Sequence, residues 1–94
     1  MTKREIITTS KFRKEYRKAE KQKKNMALLD WIIEELANDN PLPQKYRDHA
    51  LTGNWHGFRE CHITPDWLLV YEKTDECELL LILSRLNTHS ELKL

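Results

Sequence analysis

The sequence predicts an α+β fold in which two N-terminal helices pack on a mainly antiparallel sheet, with the elements in the order β-α-α-β-β-β. Apolar residues recur at helical spacing in the first half of the chain, whereas the second half has short apolar runs separated by turn residues. With 94 residues, 39% of them hydrophobic, the chain can build one core. We therefore expect a single domain over residues 1–94.

The chain begins with a short strand and a basic helix. Residues 5–9 (EIITT) are mostly β-branched and bounded by charge, which is typical of a strand. Ser10 can cap the next helix by accepting a hydrogen bond from a free backbone amide. Phe12, Tyr16 and Ala19 then recur at helical spacing among lysines and arginines. This pattern predicts a helix with a narrow apolar stripe and a strongly basic exterior.

A second helix and a long irregular segment follow. Asn25 can cap this helix, and residues 38–41 (NDNP) end it. Its apolar stripe consists of Leu29, Ile32, Ile33 and Leu36. Residues 38–54 then form an irregular segment, and loops of this length often carry function in compact domains.

The rest of the chain predicts a meander of three strands. Residues 55–63, 67–71 and 79–83 have the pattern of strands, and residues 64–66 (TPD) and 74–76 (TDE) form turns between them. The last run is continuously apolar, which favours a central strand that is buried on both faces.

Strand alternation within residues 55–63 separates two sets of side chains. One face carries His56, Phe58, Glu60 and His62, and the other carries Trp55, Arg59, Cys61 and Ile63. If the second set packs toward the helices, Trp55 is a core residue, and Glu60 and His62 point out of the opposite, open face.

Three further titratable residues can converge on this open face: His49, Asp66 and His89. The resulting cluster has neither a nucleophilic serine nor a glycine-rich phosphate loop. A pair of histidines can act as general base and general acid near neutral pH. Histidines and carboxylates are also metal ligands, but the candidates lack a compact ligand spacing and Cys61 faces away from His62. We therefore expect no metal and no other cofactor, although each histidine alone could be an ordinary surface residue.

Charge is distributed unevenly along the chain. Residues 1–24 hold ten Lys or Arg against three Glu, whereas residues 25–94 hold six against twelve acidic residues, and the net charge is only +1. A basic first quarter is typical of proteins that meet a polyanion, and also of a solvated helix face. No apolar stretch approaches the ~20 residues of a membrane helix, no secretory segment is visible, and two cysteines are too few for a disulfide scaffold. We expect a cytoplasmic protein without a membrane partner.

Three motifs in succession resemble the YafQ-like branch of the RelE superfamily. Residues 46–55 (YRDHALTGNW) are similar to the branch's Y-x-D-H-x-L-x-G-x-W. Residues 57–71 (GFRECHITPDWLLVY) are similar to its G-x-R-[DE]-x-H-x-x-P-D-x-[LI]-L-[LIV]-Y, and residues 85–92 (RLNTHSEL) to its R-x-G-[ST]-H-x-x-L. Members of this branch are ribosome-dependent mRNA endoribonucleases, the toxins of bacterial type II toxin–antitoxin pairs. The resemblance extends over nearly the whole chain and implies a RelE-like fold.

Carried over position by position, the resemblance implies a catalytic cluster of His49, Glu60, His62, Asp66 and His89. It also matches Arg59, Arg85 and Trp67, which become candidate RNA-binding residues. The nucleophile would be the RNA's own 2′-hydroxyl, so the reaction needs a base, an acid and positive charge but no metal. Either His62 or Glu60 would be the base and His89 the acid, while His49 or Arg85 would steady the phosphate.

The resemblance implies two partners, a cognate antitoxin protein and the mRNA on the ribosome. Lysines on the exposed face of the basic helix can contact either ribosomal RNA or an acidic antitoxin segment: Lys11, Lys14, Lys18 and Lys21. The alternative function is a catalytically silent RelE-fold module that only engages an antitoxin or RNA. The intact cluster favours the enzyme.

The chain departs from the branch at two places. Asn87 stands where the branch usually has glycine, and we expect the turn to be kept because asparagine tolerates a left-handed backbone. The last residues are Leu92, Lys93 and Leu94, without the aromatic residue that the branch often carries there.

Overall fold

A five-stranded sheet in the order β1-β5-β4-β3-β2 forms the centre of the protein, seen here in a computed structural model that describes residues 2–93. The strands are β1 (Glu5–Thr8), β2 (His49–Ala50), β3 (Arg59–Thr64), β4 (Trp67–Thr74) and β5 (Leu80–Asn87). The helices are α1 (Ser10–Lys21), α2 (Met26–Ala37) and the one-turn α3 (His89–Leu92). β1 runs parallel to β5, and the other neighbouring pairs are antiparallel. The predicted α+β class is confirmed, with β2 and α3 as additional elements.

Capping side chains fix the starts of the two long helices. The Thr9 hydroxyl accepts a hydrogen bond from the Phe12 amide at 3.0 Å, and the same hydroxyl donates to the Ser84 carbonyl at 2.8 Å. The cap of α1 is therefore Thr9 rather than the predicted Ser10. The second hydrogen bond of Thr9 also joins the start of the helix to β5. Asn25 caps α2 by accepting from the Leu28 amide at 3.1 Å, as predicted.

Apolar side chains cover both faces of the sheet, but unequally. The large core lies between the sheet and the helices α1 and α2, and its buried members include Phe12, Leu29, Ile32, Leu36, Cys61, Ile63, Leu69, Leu81 and Leu83. The opposite face has a small cluster built on Leu68, Val70 and Leu92, with Leu51, Trp55 and Phe58 packed against it. Because Leu92 belongs to α3, this small cluster fixes the C-terminal helix to the sheet.

The predicted strand over residues 55–63 is wrong at its beginning. β3 starts at Arg59, and Trp55 lies in a 3₁₀ turn, Gly53–Trp55. Gly57, with φ of +95°, reverses the chain between the two, so strand alternation does not extend back to Trp55. The Trp55 ring instead packs edge-on against Phe58 at 5.6 Å, in the cluster on the face away from the helices.

The prediction that the last strand is buried on both faces is also wrong. Leu81 and Leu83 are fully buried beneath the helices, whereas Leu80 and Ile82 on the other face are only partly buried. The small cluster does not reach this end of the sheet, and Ile7 of the neighbouring β1 is 39% exposed.

The segment over residues 38–54 is held to the body of the protein at several points, and two of them lie close to the predicted site. Tyr46, in a second 3₁₀ turn (Gln44–Tyr46), is buried in the large core. β2 then pairs with β3 through His49 opposite Glu60 and Ala50 opposite Arg59. This short pairing brings a residue from the irregular segment next to one of the predicted catalytic carboxylates.

A buried arginine joins the C-terminal end of α2 to the sheet. Arg4 donates from Nε to Asp39 Oδ1 at 2.7 Å and from Nη1 to the carbonyls of Thr74 and Leu80. Lys73 Nζ also lies 2.7 Å from Asp39 Oδ1. Hydrogen bonds from Arg4 and Lys73 lower the pKa of Asp39 from 3.8 to about 2.

Replacing Asp39 with asparagine is expected to destabilise the fold by about 1 to 2 kcal/mol at pH 7. Asparagine tolerates the left-handed backbone of this position, where φ is 59°, so the change isolates the charge. Because the folded pKa lies below the ordinary value, the contribution is present above pH ~4 and disappears as the pH falls toward 2. Urea unfolding between pH 7 and pH 3 measures the free energy of unfolding of wild type and of Asp39→Asn. The difference between the two proteins should shrink as the pH falls.

Asp75→Asn is the control for this experiment, because Asp75 also contacts Arg4 at 2.7 Å but its side chain is 67% exposed. Its loss should be smaller, since exposed ion pairs contribute little. A difference between wild type and Asp39→Asn that stays constant down to pH 3 would contradict the electrostatic explanation.

Candidate active site

The carboxylate of Glu60 lies at the centre of the candidate site. Glu60 is on β3, on the face away from the long helices, and is only 2% exposed. Its Oε1 lies 3.1 Å from His62 Nε2 and 3.7 Å from His49 Nε2. The expectation that Glu60 points out into solvent is wrong, because the two imidazole rings and the small cluster cover it.

Strand pairing explains why these three residues meet. His49 is opposite Glu60 in the β2–β3 pair, and His62 follows two residues later on the same face of β3. The register of β3 against β4 shifts between His62 and Thr64, and such a bulge twists a strand and re-aims the side chains beside it. The turn at residues 65–66 then connects β3 to β4.

The hydrogen-bond partners fix which ring nitrogens are free. His49 Nδ1 lies 2.6 Å from the Arg47 carbonyl, which can only accept, so Nδ1 carries the proton and Nε2 has the free lone pair of a neutral ring. His62 Nε2 faces the Glu60 carboxylate in the same way, which leaves Nδ1 of a neutral His62 free. Each histidine can therefore exchange a proton through one defined nitrogen.

His89 completes the cluster from the other side of His62. It is the first residue of α3, and its ring centroid lies 5.4 Å from that of His62, whereas His49 lies 6.1 Å from His62. Asp66, exposed in the β3–β4 turn, accepts a weak hydrogen bond from the His89 amide at 3.4 Å. The structure thus brings together all five predicted cluster residues, with Asp66 contacting the backbone of His89.

Arg59 belongs to a polar network with Asp48 and Tyr71, next to His49. The Tyr71 hydroxyl donates to Asp48, and Arg59 Nε lies 3.3 Å from both Asp48 Oδ1 and the Tyr71 hydroxyl. Tyr71 is fully buried, and this burial, with the Asp48 carboxylate beside it, raises the pKa of its hydroxyl. Because Asp48 directly precedes His49, the network fixes the position of that histidine, and Arg59 is engaged in it rather than free for RNA.

Arg85 is also engaged, at the edge of the sheet beyond the end of β1. Its Nε and Nη2 each lie 3.0 Å from a carboxylate oxygen of Glu15, a two-pronged ion pair. Glu15 also accepts from the Leu86 amide at 3.0 Å and from Asn87 Nδ2 at 2.8 Å. Burial alone would raise the pKa of Glu15, but these hydrogen bonds hold it below its ordinary value.

Two further predictions about this region need correction. Asn87 does not have a left-handed backbone: among residues 2–93, positive φ at non-glycine positions occurs at Lys23, Asp39, Arg47 and Lys93. The Asn87 side chain instead joins Glu15 to the Thr88 amide. Trp67 is 3% exposed in the large core, with Lys24 Nζ 5.9 Å from its ring centroid. It therefore offers no free face on which a base can stack.

The predicted basic surface is present along α1. Its lysines, Lys11, Lys14, Lys18 and Lys21, are all exposed, and they line a groove of about 620 Å³ together with Arg17 and Arg85. Because Arg85 is paired with Glu15, the free positive charge of this groove comes from the helix.

His49, Glu60 and His62 also have the geometry of a metal site. One ligand atom from each lies within 4.8 Å of the others, and two imidazoles with a carboxylate are suitable ligands for Zn²⁺ or Cu²⁺. The sequence spacing does not show this arrangement, because the β2–β3 pairing creates it.

Asp48, Tyr71 and Glu15 shape the site, but the sequence alone did not predict a role for them. Asp48 and Tyr71 stand within the quoted motifs, directly before His49 and at the end of the second motif, so the motifs themselves were the available signal. Glu15 had no signal, because only the fold brings α1 beside β5.

Comparison with known proteins agrees with this geometry. Residues 4–94 match the family model described as "Bacterial toxin of type II toxin-antitoxin system, YafQ". The mRNA interferase toxin YafQ of Escherichia coli K12 is 39% identical over 93 residues, which cover 98% of each chain.

Two solved structures illustrate the likeness. YafQ in the crystal structure of the E. coli DinJ-YafQ toxin-antitoxin complex has a TM-score of 0.85 at 38% identity and covers 96% of this chain and 97% of its own. A metal-bound toxin from Helicobacter pylori has a TM-score of 0.87 at 42% identity and covers 98% and 99%. The match of nearly the whole chain in both sequence and fold shows that this protein belongs to the YafQ toxin family of bacterial type II toxin–antitoxin systems.

Proposed function

We propose that this protein is the toxin of a type II toxin–antitoxin pair and a ribosome-dependent mRNA endoribonuclease. The observation that carries the proposal is the position of Glu60, buried and in contact with His62, with His49 on one side of that histidine and His89 on the other. A buried carboxylate that orients one of three adjacent imidazoles is suited to proton transfer.

The proposed reaction uses the substrate's own hydroxyl group. A base removes the proton of the RNA 2′-hydroxyl, and the 2′-oxygen forms a bond to the adjacent phosphorus. The bond from phosphorus to the 5′-oxygen of the next nucleotide breaks, and an acid donates a proton to that oxygen. The products are a 2′,3′-cyclic phosphate and a 5′-hydroxyl, and no water is consumed in this step.

The geometry favours a division of roles within the cluster. Glu60 is an orienting group rather than the base, because it is buried and its Oε1 faces two histidines. We assign proton transfer to His62 and His89, whose ring centroids are 5.4 Å apart. His49, 48% exposed at its side chain, is placed to bind the phosphate when protonated. Arg85 is an unsuitable phosphate ligand because Glu15 neutralises it.

The metal-binding geometry provides a second test of this mechanism. An ion held by His49, Glu60 and His62 would displace the Glu60 carboxylate from His62 Nε2 and occupy His49 Nε2, the nitrogen that the proposed reaction uses to bind the phosphate. We therefore propose that the cleavage rate is unchanged or higher in excess of a chelator selective for zinc and copper, which leaves ribosomal magnesium in place. A rate abolished by that chelator and restored by zinc would support a metal-dependent hydrolase instead.

The proposed partners are a cognate antitoxin and the translating ribosome, which places the protein in the cytoplasm. The exposed lysines of α1 are suited to an acidic antitoxin segment as well as to the phosphates of ribosomal RNA. Among residues 2–93, no helix is long and apolar enough to cross a membrane.

Charge reversal on α1 tests the antitoxin surface. Lys14→Glu and Lys18→Glu should each raise the dissociation rate of the antitoxin complex and flatten the salt dependence of association, because they remove favourable long-range attraction. Surface plasmon resonance at several salt concentrations measures both quantities. Lys3→Glu is the control, since Lys3 is also exposed but lies before β1. Thermal unfolding verifies that reversing its contact with Asp39 leaves the fold intact. Equal behaviour of all three variants would place the antitoxin elsewhere.

Expression of the protein alone in bacteria tests the function as a whole. We expect arrested growth and new 5′ ends within translated mRNA, and purified toxin should cut the same message only when ribosomes are present. Soluble expression with normal growth and intact mRNA would favour the catalytically silent module.

A further inference from the structure

A cleft of about 430 Å³ lies directly beside His62, on the side of the 3₁₀ turn Gln44–Tyr46. Its accessible apolar surface comes from Leu28 of α2 and from Pro65, because Tyr46 and Ile63, which also line it, are almost fully buried. The volume lies at the lower end of the range of small-molecule sites, about 300–1,000 Å³. His62 forms part of the wall, so the cleft adjoins the proposed catalytic cluster.

Two cations, Lys45 and Arg47, also line this cleft. Both side chains are exposed, and neither forms an ion pair within residues 2–93. The Lys45 ammonium lies 5.1 Å from the Tyr46 ring centroid, which holds it over the turn. Arg59 and Arg85, by contrast, are neutralised by carboxylates. Free positive charge beside the histidines is therefore supplied by this turn.

The backbone of Arg47 couples the cleft to the cluster. Its carbonyl accepts the hydrogen bond from His49 Nδ1 at 2.6 Å, and its φ of 48° is a left-handed conformation that a non-glycine residue adopts at some cost. This conformation lets one residue hold His49 with its backbone and line the cleft with its side chain.

We infer that this cleft binds one nucleotide of the mRNA, adjacent to the scissile phosphate. The base lies on the apolar surface of Leu28 and Pro65, and Lys45 and Arg47 contact the flanking phosphate. Single-stranded RNA is usually bound in this way, with a splayed base on an apolar or aromatic surface and cations along the backbone. The inference rests on the proposed function, because it assigns an RNA strand to the neighbouring histidines.

The test compares the affinity of the toxin for two kinds of ribosome. One set is vacant, and the other is programmed with an mRNA that carries 2′-methoxy groups and cannot be cut. Lys45→Gln combined with Arg47→Gln should weaken binding to the programmed ribosomes about tenfold and lower the slope of log affinity against log salt by about 1 to 2. Binding to vacant ribosomes should be unchanged.

Lys14→Gln combined with Lys18→Gln is the matched control, because it removes the same charge from α1 and should weaken binding to both kinds of ribosome. Glutamine keeps the length of each side chain, and thermal unfolding of both variants verifies the fold. Equal loss on vacant and programmed ribosomes would mean that Lys45 and Arg47 contact the ribosome itself, which overturns the inference. No loss on either would also overturn it. Wild-type toxin that leaves cleavable mRNA intact on the same ribosomes would instead refute the proposed function.

Discussion

Replacing His62 or His89 with alanine is expected to slow mRNA cleavage by about two to four orders of magnitude. The two rings are 5.4 Å apart, and each is assigned one of the two proton transfers. Single-turnover cleavage of mRNA on programmed ribosomes measures the effect directly, because it separates the chemical step from toxin binding and release. The loss should appear in the rate at saturating toxin.

The fold is expected to survive both substitutions. The hydrogen bond from residue 89 to Asp66 uses the backbone amide, and alanine is a good helix former at the start of α3. His62 is more enclosed, with a side chain 13% exposed, so His62→Gln serves as a second variant that fills the space without a basic nitrogen. The double variant should lose less than the product of the two single losses, since both groups act in one transition state.

Full activity of His89→Ala, with the fold intact, would contradict the assignment of the acid to His89. The acid would then be Asp66 or His49, the other titratable groups beside His62 and His89. Full activity of both His62→Ala and His62→Gln would contradict the mechanism itself.

Replacing Glu60 with glutamine is expected to lower the cleavage rate by about two to three orders of magnitude. The amide has the shape of the carboxylate but no charge, so the negative charge that lies 3.1 Å from His62 Nε2 is lost. The effect should be largest on the rate at saturating toxin, and the pH dependence of that rate should change as well. A merely structural role for Glu60 would leave the pH profile unchanged.

Glu78→Gln provides the control, because Glu78 is an exposed carboxylate in the turn between β4 and β5. It should retain the wild-type rate. A wild-type rate and pH profile for Glu60→Gln would show that the buried carboxylate does not act on the histidines during the reaction.

The sequence was informative about the order of elements and the face of β3. Helical periodicity describes α1 and α2, because each buries one regular stripe of side chains. The apolar runs located β3, β4 and β5 but missed their ends, since β4 continues to Thr74 and β5 to Asn87. Alternation alone placed Glu60 and His62 on the face away from the helices. The burial of Glu60 was not predictable, because it depends on a histidine that arrives through the two-residue strand β2.

The incorrect predictions have two physical causes, a local turn that breaks the strand pattern and contacts between distant segments. Trp55 appeared to continue the alternation of β3, but the turn at Gly57 moves it to the opposite face. Arg85 appeared free for phosphate, but α1 brings Glu15 beside it. A motif shows which residues the family shares, and tertiary structure decides which of them remain available to a substrate.

The C-terminal residues show the same dependence on context. The branch often carries an aromatic residue near its C-terminus, and residues 92–94 include none. Leu92, which matches the leucine of the third motif, packs with Leu68 and Val70. That contact fixes α3, and with it His89, against the sheet, so Leu92 serves to position a catalytic candidate.

The central claim is that the RNA's own 2′-hydroxyl is the nucleophile, and the chemical nature of the cut ends tests it most directly. The upstream fragments of an mRNA cut by wild-type toxin on ribosomes can be analysed by mass spectrometry, with the cleavage-deficient His62→Ala variant as the blank. The mechanism predicts a 2′,3′-cyclic phosphate on the upstream fragment and a 5′-hydroxyl on the downstream one. A 3′-hydroxyl with a 5′-phosphate would contradict the account, because those ends require attack on phosphorus by water or another external nucleophile.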